Sequence, residues 1–280
     1  MYEQSVLERR NQTLFYFRHA PPLLERHPPE DAFVGERPEH PVKGIEGWKR
    51  SIFYYWWRFV REIPGLRDEI EAGLPHPVGS IHQDFRRAFD SNFRDWWIIE
   101  GRYLFCEPRT SGIALEKPPL PVDGYDDRVV LSVPLQGDLE QVMAEMKQLL
   151  KPEMSKFKAE QGPSRARYPV FGKPVLSSLH MHYTVWRARQ DNPSLTLYQI
   201  ADLAGVMPSL GENDPHTKSR KSASVSRYLR QAETIIEFAA QGLFPVVNEN
   251  QRAQAQALAN DLVQKRRVRD IKQIAESRQR

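Results

Sequence analysis

Five basic side chains lie between residues 218 and 230, and no carboxylate stands among them. They are Lys218, Arg220, Lys221, Arg227 and Arg230. Cations of this kind neutralise phosphates, and the fork of an arginine can bind both acceptors of a guanine edge. Hydroxyl groups that can also bond to a phosphate or a base are interspersed at Ser222, Ser224 and Ser226. We therefore expect this segment to bind double-stranded DNA.

The same segment carries apolar residues at helical spacing. They are Val225, Leu229, Ala232, Ile236 and Ala239. Burial of this stripe predicts a helix over 221–241. The residues predicted to face outward, toward a major groove, are Lys221, Ser222, Ser226, Arg227 and Arg230. A solvated helix would show the same pattern, so an ordinary helix surface is the alternative interpretation.

The residues before this helix fit the first half of a helix-turn-helix motif. A helix is predicted over 197–204, with small Ala201 where two helices must cross closely and Gly205 where the chain must turn. Ser194 or Thr196 is suited to cap it. Residues 207–220 are rich in Pro, Gly, Asn and Asp and are predicted to form a loop longer than the usual turn. A further helix over 174–189 would be the first of three.

A second basic group lies near the end of the chain, where the composition from Asn250 onward is that of a helix. Its members are Lys265, Arg266, Arg267 and Arg269. Residues 1–150 contain 19 Lys and Arg against 24 Asp and Glu, whereas residues 151–280 contain 21 against 12. This asymmetry favours a polyanion partner for the C-terminal half. The tail is predicted either to order on DNA as a basic arm or to be a solvated terminal helix.

Two aromatic-rich helices are predicted in the N-terminal half, over 44–63 and from about 81 to 105. Each contains a tryptophan pair, Trp56 with Trp57 and Trp96 with Trp97. Exposed rings could stack on bases, but Phe85, Phe89 and Phe93 continue the second pair at the spacing of a buried stripe. The favoured interpretation is a hydrophobic core. A groove for a protein partner is the remaining alternative.

The predicted fold is mainly α with a small β element. The clearest strand covers 128–135, and a helix follows over 138–150. Residues 151–169 are predicted to form a mobile basic linker. We expect a segment with a Pro-rich connector (1–43), an aromatic-rich helical domain containing the β element (44–155), a basic linker (156–172), a helix-turn-helix-like domain (173–247) and a basic helical tail (248–280).

Signals for catalysis are weak. The pair His180 and His182 falls on different helix faces, so it does not predict a metal site. No glycine cluster cradles a phosphate, and no serine is flanked as in a nucleophile elbow. His82, Asp84, Asp90 and Glu100 form a scattered acid cluster that could hold magnesium for a nuclease, but no spacing favours this over ordinary charge on a helix surface. The sequence predicts no catalytic residue, no metal site and no cofactor, and Cys106 is expected to be a buried hydrophobe.

The segment Trp48 to Arg67, with its Trp-Trp-Arg-Phe-Val-Arg-Glu run, resembles the aromatic helix near the start of uncharacterised regulators encoded on bacterial mobile elements. The segment 195–242 resembles helix-turn-helix proteins in general. Together they cover about a quarter of the chain. The resemblance implies a DNA-binding regulator or accessory factor of a phage, plasmid or integrated element.

The expected function is sequence-specific binding of double-stranded DNA. A scaffold subunit that binds RNA or protein is the first alternative, and a metal-dependent nuclease is the second. No apolar run approaches the length of a membrane span, and Met1 to Gln4 lacks a signal-peptide pattern. We therefore expect a cytoplasmic, nucleoid-associated protein without a membrane partner. A homodimer and a protein partner at the aromatic part are further expectations.

Overall fold

The structure, a computed structural model, describes residues 15–24, 31–33, 36–73, 76–77, 79–107, 139–159, 164, 166–208 and 215–278. It is mainly helical with a small β element, as the sequence predicts. The chain divides into two compact units, residues 1–108 with 165–280 and residues 109–164. This division differs from the predicted segments, because core rings from both ends of the chain pack together. Trp56, for example, stacks on Phe244 with ring centroids 5.1 Å apart.

The β element lies near the start of the chain. Strands β1 (Phe15–Phe17) and β2 (Asp31–Phe33) pair in parallel, and Tyr16 also forms an antiparallel bridge with Glu107. The strand predicted over 128–135 lies outside the described residues, so that prediction stays untested.

The first aromatic-rich helix is shorter than predicted. Helix α1 (Ile52–Val60) starts after a 3₁₀ turn (Gly47–Lys49), and the Ser51 hydroxyl caps it by accepting from the Phe53 amide at 3.3 Å. Helix α2 (Leu66–Glu71) follows, and Gly65 provides the left-handed residue between them. Capping explains the start of α1, because the Ser51 side chain replaces a missing intrahelical partner.

The second predicted helix is wrong over its first half. Residues 82–92 form turns around a 3₁₀ segment (Arg86–Ala88), and helix starts only where Asn92 accepts from the Asp95 amide at 3.1 Å. The helix then runs through α3 (Phe93–Trp96), a π-helical turn (Trp97–Gly101) and α4 (Arg102–Phe105). Gly101 permits the π turn, since a Cβ there would lie 2.8 Å from the Trp96 ring.

The aromatic side chains form the core, which confirms the favoured interpretation. Trp56, Trp96 and Trp97 have no exposed surface, and Trp57 is 5% exposed. Phe105 stacks on Phe53 and on Trp97, at centroid distances of 4.8 and 6.0 Å. The neighbouring Cys106 is buried, as expected.

Five helices make up most of the rest. In the smaller unit, α5 (Leu139–Ala159) continues through Pro152, so the predicted linker is wrong over 151–159. In the larger unit lie α6 (Leu176–Asp191), α7 (Leu197–Leu203), α8 (Pro215–Ala240) and α9 (Glu249–Arg278). Among the described residues, no helix combines the length and the apolar composition that crossing a membrane requires.

Candidate nucleic-acid interface

Helices α6, α7 and α8 pack into a three-helix unit, as the sequence predicts. Its small core combines Val185 of α6, Ile200 and Ala201 of α7 and Val225 of α8, all with no exposed surface. A methyl group at Ala201 lets helices α7 and α8 approach closely. Its order is a first helix, a short second helix and a long third helix.

Local sequence determines both ends of α7. At its start, Thr196 and Gln199 form a reciprocal capping box. At its end, Gly205 adopts a φ of +68°, and the Val206 amide donates to the Ala201 carbonyl at 2.8 Å. This is the 6→1 hydrogen bond of a Schellman motif, and burial of Val206 completes it. The chain therefore turns at the predicted glycine.

Helix α8 begins earlier than predicted. The loop predicted over 207–220 is wrong from residue 215, where Pro215 opens the helix. Proline suits the first helical position because its missing N–H has no intrahelical partner there. The predicted apolar stripe is confirmed: Val225, Ala232 and Ile236 are buried, and Leu229 is half-buried. Because α8 starts at residue 215, Lys218 and Arg220 lie within its first two turns and not on a loop.

Two residues predicted to contact DNA lie inside the three-helix unit. Lys221 is 6% exposed, and its Nζ lies 2.5 Å from Asp202 Oδ1 of α7. The prediction that Lys221 faces outward is therefore wrong, because this ion pair draws its side chain toward α7. Ser224 is 8% exposed, with its hydroxyl 3.9 Å from the Met207 sulfur. Both side chains hold α8 against α7 and the turn that follows it.

Four predicted cations remain on the surface of α8. Lys218, Arg220, Arg227 and Arg230 are exposed, whereas Ser222 and Ser226 are half-buried. Lys218 Nζ lies 5.2 Å from the Tyr198 ring centre, and the Arg227 guanidinium lies 5.4 Å from that of Tyr228. Among the described residues, no carboxylate forms an ion pair with any of the four. Residues 220, 227 and 230 are seven and three apart, so Arg220, Arg227 and Arg230 follow one face of the helix. We call these three residues the basic face. Lys218 is nine positions before Arg227 and lies on the other side of the helix, toward Tyr198.

Three cations lie near the N-terminus of α8, where they do not favour helix stability. The N-terminus of a helix carries partial positive charge, which favours acids in the first turn. Helix α8 has no acid in its first turn, and Lys218, Arg220 and Lys221 lie in its first two turns. Helix propensity therefore does not account for these cations, whereas a polyanion would interact favourably with both the side chains and the helix terminus.

The second basic group is split by the structure. Arg266 is 3% exposed and donates to three carbonyl oxygens, those of Gly79, Gln241 and Gly242. It is thus unable to contact DNA as predicted, because it stabilises the C-terminal end of α8. Lys265, Arg267 and Arg269 are exposed on α9, and Lys265 pairs with Asp261 at 2.7 Å.

The two predicted basic groups are separated along α8. Arg266 contacts residues 241 and 242, just beyond the end of the helix. Arg220, Arg227 and Arg230 are 21, 14 and 11 positions before Gln241. At 1.5 Å per residue, roughly 17 to 32 Å of helix axis separates the basic face from the end that Arg266 contacts.

Two of the carboxylates considered for magnesium are poorly suited to it, whereas Asp90 is exposed. Asp84 is buried and accepts from Arg167 Nε and from the Tyr168 hydroxyl, both at 2.5 Å, and Arg167 also pairs with Asp270. Burial raises the pKa of Glu100 to about 7, so this carboxyl is about half protonated at neutral pH. A carboxyl group held by an arginine, or one that is partly protonated, is a poor magnesium ligand.

One arginine-rich cleft was not predicted. About 330 Å³ in volume, it is lined from α1 to α6 by Trp57, Arg58, Arg61, Glu62, Tyr183 and Arg187. The guanidinium of Arg58 lies 4.2 Å from the Tyr183 ring centre, and that of Arg61 lies 4.5 Å from that of Trp57. Burial lowers the pKa of Arg61, and the nearby charge of Arg58 adds to this effect. The cleft can accept an anion, and the sequence signal for it is the Trp-Trp-Arg-x-x-Arg spacing of α1.

Comparison with protein families, with curated proteins and with solved structures gives no match to this chain. The functional argument therefore depends on the geometry of the site.

Proposed function

We propose that this protein binds double-stranded DNA sequence-specifically through the basic face of α8. The single observation that carries the proposal is three exposed arginines on one face of the third helix of a three-helix unit, without carboxylate partners among the described residues. The role that fits is that of a transcriptional regulator or accessory factor of a bacterial mobile element, and this part of the proposal depends on the sequence resemblance.

Helix dimensions support major-groove docking. Arg227 and Arg230 are one turn apart, about 4.5 Å along the axis, and Arg220 lies about 10.5 Å before Arg227. A major groove about 12 Å wide admits one helix, and arginines at this spacing can reach successive base pairs and the flanking phosphates. The apolar stripe on the opposite side holds α8 on α6 and α7, which leaves the basic face free to dock.

The test compares two double variants of the full chain. Arg227→Ala with Arg230→Ala removes two of the three residues of the basic face, whereas Arg86→Ala with Arg94→Ala removes two exposed arginines from the aromatic-rich half. Fluorescence anisotropy would measure binding to a duplex selected from a random pool, to a scrambled duplex and to an RNA hairpin. We expect at least a tenfold loss of affinity for the selected duplex in the first variant and a change below twofold in the second.

Three outcomes would overturn the proposal. Equal losses in both double variants would mean that binding follows overall charge. Tighter binding to the RNA hairpin than to any duplex would support the RNA-binding scaffold instead. Magnesium-dependent cleavage of the duplex would support a nuclease.

A further inference from the structure

Three potential metal ligands converge beside α2. Glu69 comes from α2 itself, His76 from the segment after it, and His82 from the turn at 81–85. One ligand atom from each side chain lies within 4.8 Å of the other two. Glu69 Oε2 and His82 Nε2 are 2.8 Å apart. Each residue is separated from the next by at least five positions, so the cluster is a product of the fold.

The histidine rings show two features of metal ligands. His76 Nε2 is buried and has no hydrogen-bond partner in the described part of the chain. A buried ring nitrogen without a partner is costly, and a metal ion would satisfy it. His82 Nδ1 lies 3.2 Å from the Ser80 hydroxyl, which fixes the ring with Nε2 toward Glu69. Histidines that bind metals are usually oriented by such a hydrogen bond from the second ring nitrogen.

We propose that Glu69, His76 and His82 bind one divalent transition-metal ion, with zinc the best fit. Two imidazoles and one carboxylate form a common zinc ligand set, and imidazole disfavours magnesium and calcium. Ligand atoms on a tetrahedral zinc ion lie about 3.3 Å apart. Glu69 Oε2 and His82 Nε2 are 2.8 Å apart, and all three ligand atoms lie within 4.8 Å of one another. The rings of His76 and His82 are stacked 3.6 Å apart at an interplanar angle of 13°, so one ring must turn for both nitrogens to face the same ion. Water occupies the fourth position.

The metal fixes the segment on which α9 docks. The Gly79 carbonyl, between the two histidines, accepts from Arg266 Nε at 3.1 Å. A Cβ at Gly79 would lie 2.7 Å from the Arg267 amide nitrogen, so the glycine backbone lies directly against α9. An ion bound to Glu69 on one side of this contact and to the histidines flanking it links α2 to the docking segment. The proposed site is therefore structural, because it stabilises the segment around Gly79 against which α9 packs.

Metal titration of the full chain tests the site. After treatment with a chelator, Zn²⁺ binding would be measured by calorimetry and Co²⁺ binding by its visible absorption. We expect one ion per chain and four-coordinate Co²⁺ bands. His76→Ala, His82→Ala and Glu69→Gln should each weaken Zn²⁺ binding at least tenfold. His216→Ala is the matched control, because His216 is exposed on α8, away from this cluster, and its loss should leave the affinity unchanged.

Melting temperatures measured with and without Zn²⁺ test the site in the wild-type chain itself, so this test does not depend on whether a variant folds. Zn²⁺ should raise the melting temperature of the wild-type chain, since an ion that binds only the folded state stabilises it. The same concentration should not raise the melting temperature of a His76→Ala and His82→Ala double variant. The proposal is overturned if the wild type binds less than one ion at micromolar Zn²⁺, or if the double variant retains both the affinity and the thermal shift.

Discussion

The aromatic core around α1 and the three-helix unit of α6, α7 and α8 use their side chains in opposite ways. Eight of the nine residues of α1 are buried, and only Arg58 is not. Helix α8 instead buries one stripe and leaves the opposite face charged. Helix α1 therefore offers a ligand little surface beyond the cleft at Trp57 and Arg58, whereas α8 offers a whole unneutralised face. This difference makes α8 the better candidate for binding a ligand.

Arginine shows the same contrast. Arg167 contacts Asp84 and Asp270, and Arg266 contacts three carbonyl oxygens, so both charges are satisfied inside the protein. Arg227 and Arg230 are exposed, and no described carboxylate pairs with either. Residue type is the same in all four cases. A structural arginine differs from a candidate DNA contact only in having partners within the fold.

The largest expected effect is on the aromatic core. Trp56→Ala should lower the free energy of unfolding by about 3 to 5 kcal/mol, because a fully buried ring leaves a cavity. Trp56→Phe should cost less, since it keeps most of the packing and removes an indole N–H that has no partner among the described residues. Urea unfolding would measure both. Ile98→Ala is the control, as Ile98 is 43% exposed, and an equal loss there would contradict the assignment of Trp56 to the core.

A comparable effect is expected where a buried arginine loses its charge. Arg167→Met should cost about 3 to 5 kcal/mol, because it leaves Asp84 buried without its cation. Arg187→Met removes a cation that is 39% exposed beside Glu62, and it should cost about 1 kcal/mol or less. Urea midpoints at neutral pH compare the two. If both variants lost a similar free energy of unfolding, the ion pairs around Asp84 would be solvated and would contribute little to stability.

Sequence periodicity predicted the parts of the fold that depend on local signals. The stripe of α8, the turn at Gly205 and the burial of the tryptophans follow from spacing and from glycine geometry. The start of α3 was missed because the Asn92 cap interrupts a run of apolar residues that looks continuous. The predicted boundary at 156–172 ignored long-range packing such as Trp56 on Phe244, which no local pattern reveals.

The candidate DNA-binding site was only partly predicted, because local sequence patterns do not reveal long-range packing. A segment rich in cations indicates a basic helix, but which cations stay exposed depends on neighbours far along the chain. Asp202 draws Lys221 inward, and the carbonyls at 241 and 242 draw in Arg266. The cluster of Glu69, His76 and His82 joins three segments without a recognisable ligand spacing. Such a site becomes visible only once the chain is folded.

A smaller effect separates the two roles of cations on α8. Arg227→Ala should cost about 1 to 3 kcal/mol of binding to a selected duplex and relax the preference at one base pair. Lys218→Ala should weaken all duplexes alike and lower the salt slope by about one. Lys221→Met should instead lower the melting temperature, because it leaves Asp202 without its partner. Anisotropy titrations at several salt concentrations, with melting curves, distinguish the three. If Lys221→Met changed the salt dependence of DNA binding but not the melting temperature, Lys221 would belong to the DNA interface after all.

The contact between the two regions contains a hydrogen-bond chain of defined direction. The Val42 amide donates to His40 Nδ1 at 3.0 Å, so neutral His40 donates from Nε2 to the Tyr55 hydroxyl at 2.8 Å. Tyr55 on α1 then donates to His180 Nδ1 on α6 at 2.9 Å. Each link requires a neutral imidazole. Protonation of either histidine would place a second donor against an existing one.

The smallest expected effect is therefore a dependence of stability on pH. Burial lowers the pKa of both His40 and His180, and each histidine therefore takes up its proton more readily in the unfolded chain. Stability is fully present above the unfolded value of about 6.5 and is lost as pH falls from there through the folded pKa values. Urea midpoints between about pH 7.5 and pH 5 should fall less steeply in a His40→Gln and His180→Gln double variant than in the wild type. His216→Gln, an exposed histidine of α8, should keep the wild-type slope. If the double variant kept it too, the link between α1 and α6 would not depend on these imidazoles, and apolar packing together with the contacts of Glu62 to Tyr183 and Arg187 would join the aromatic core to the three-helix unit.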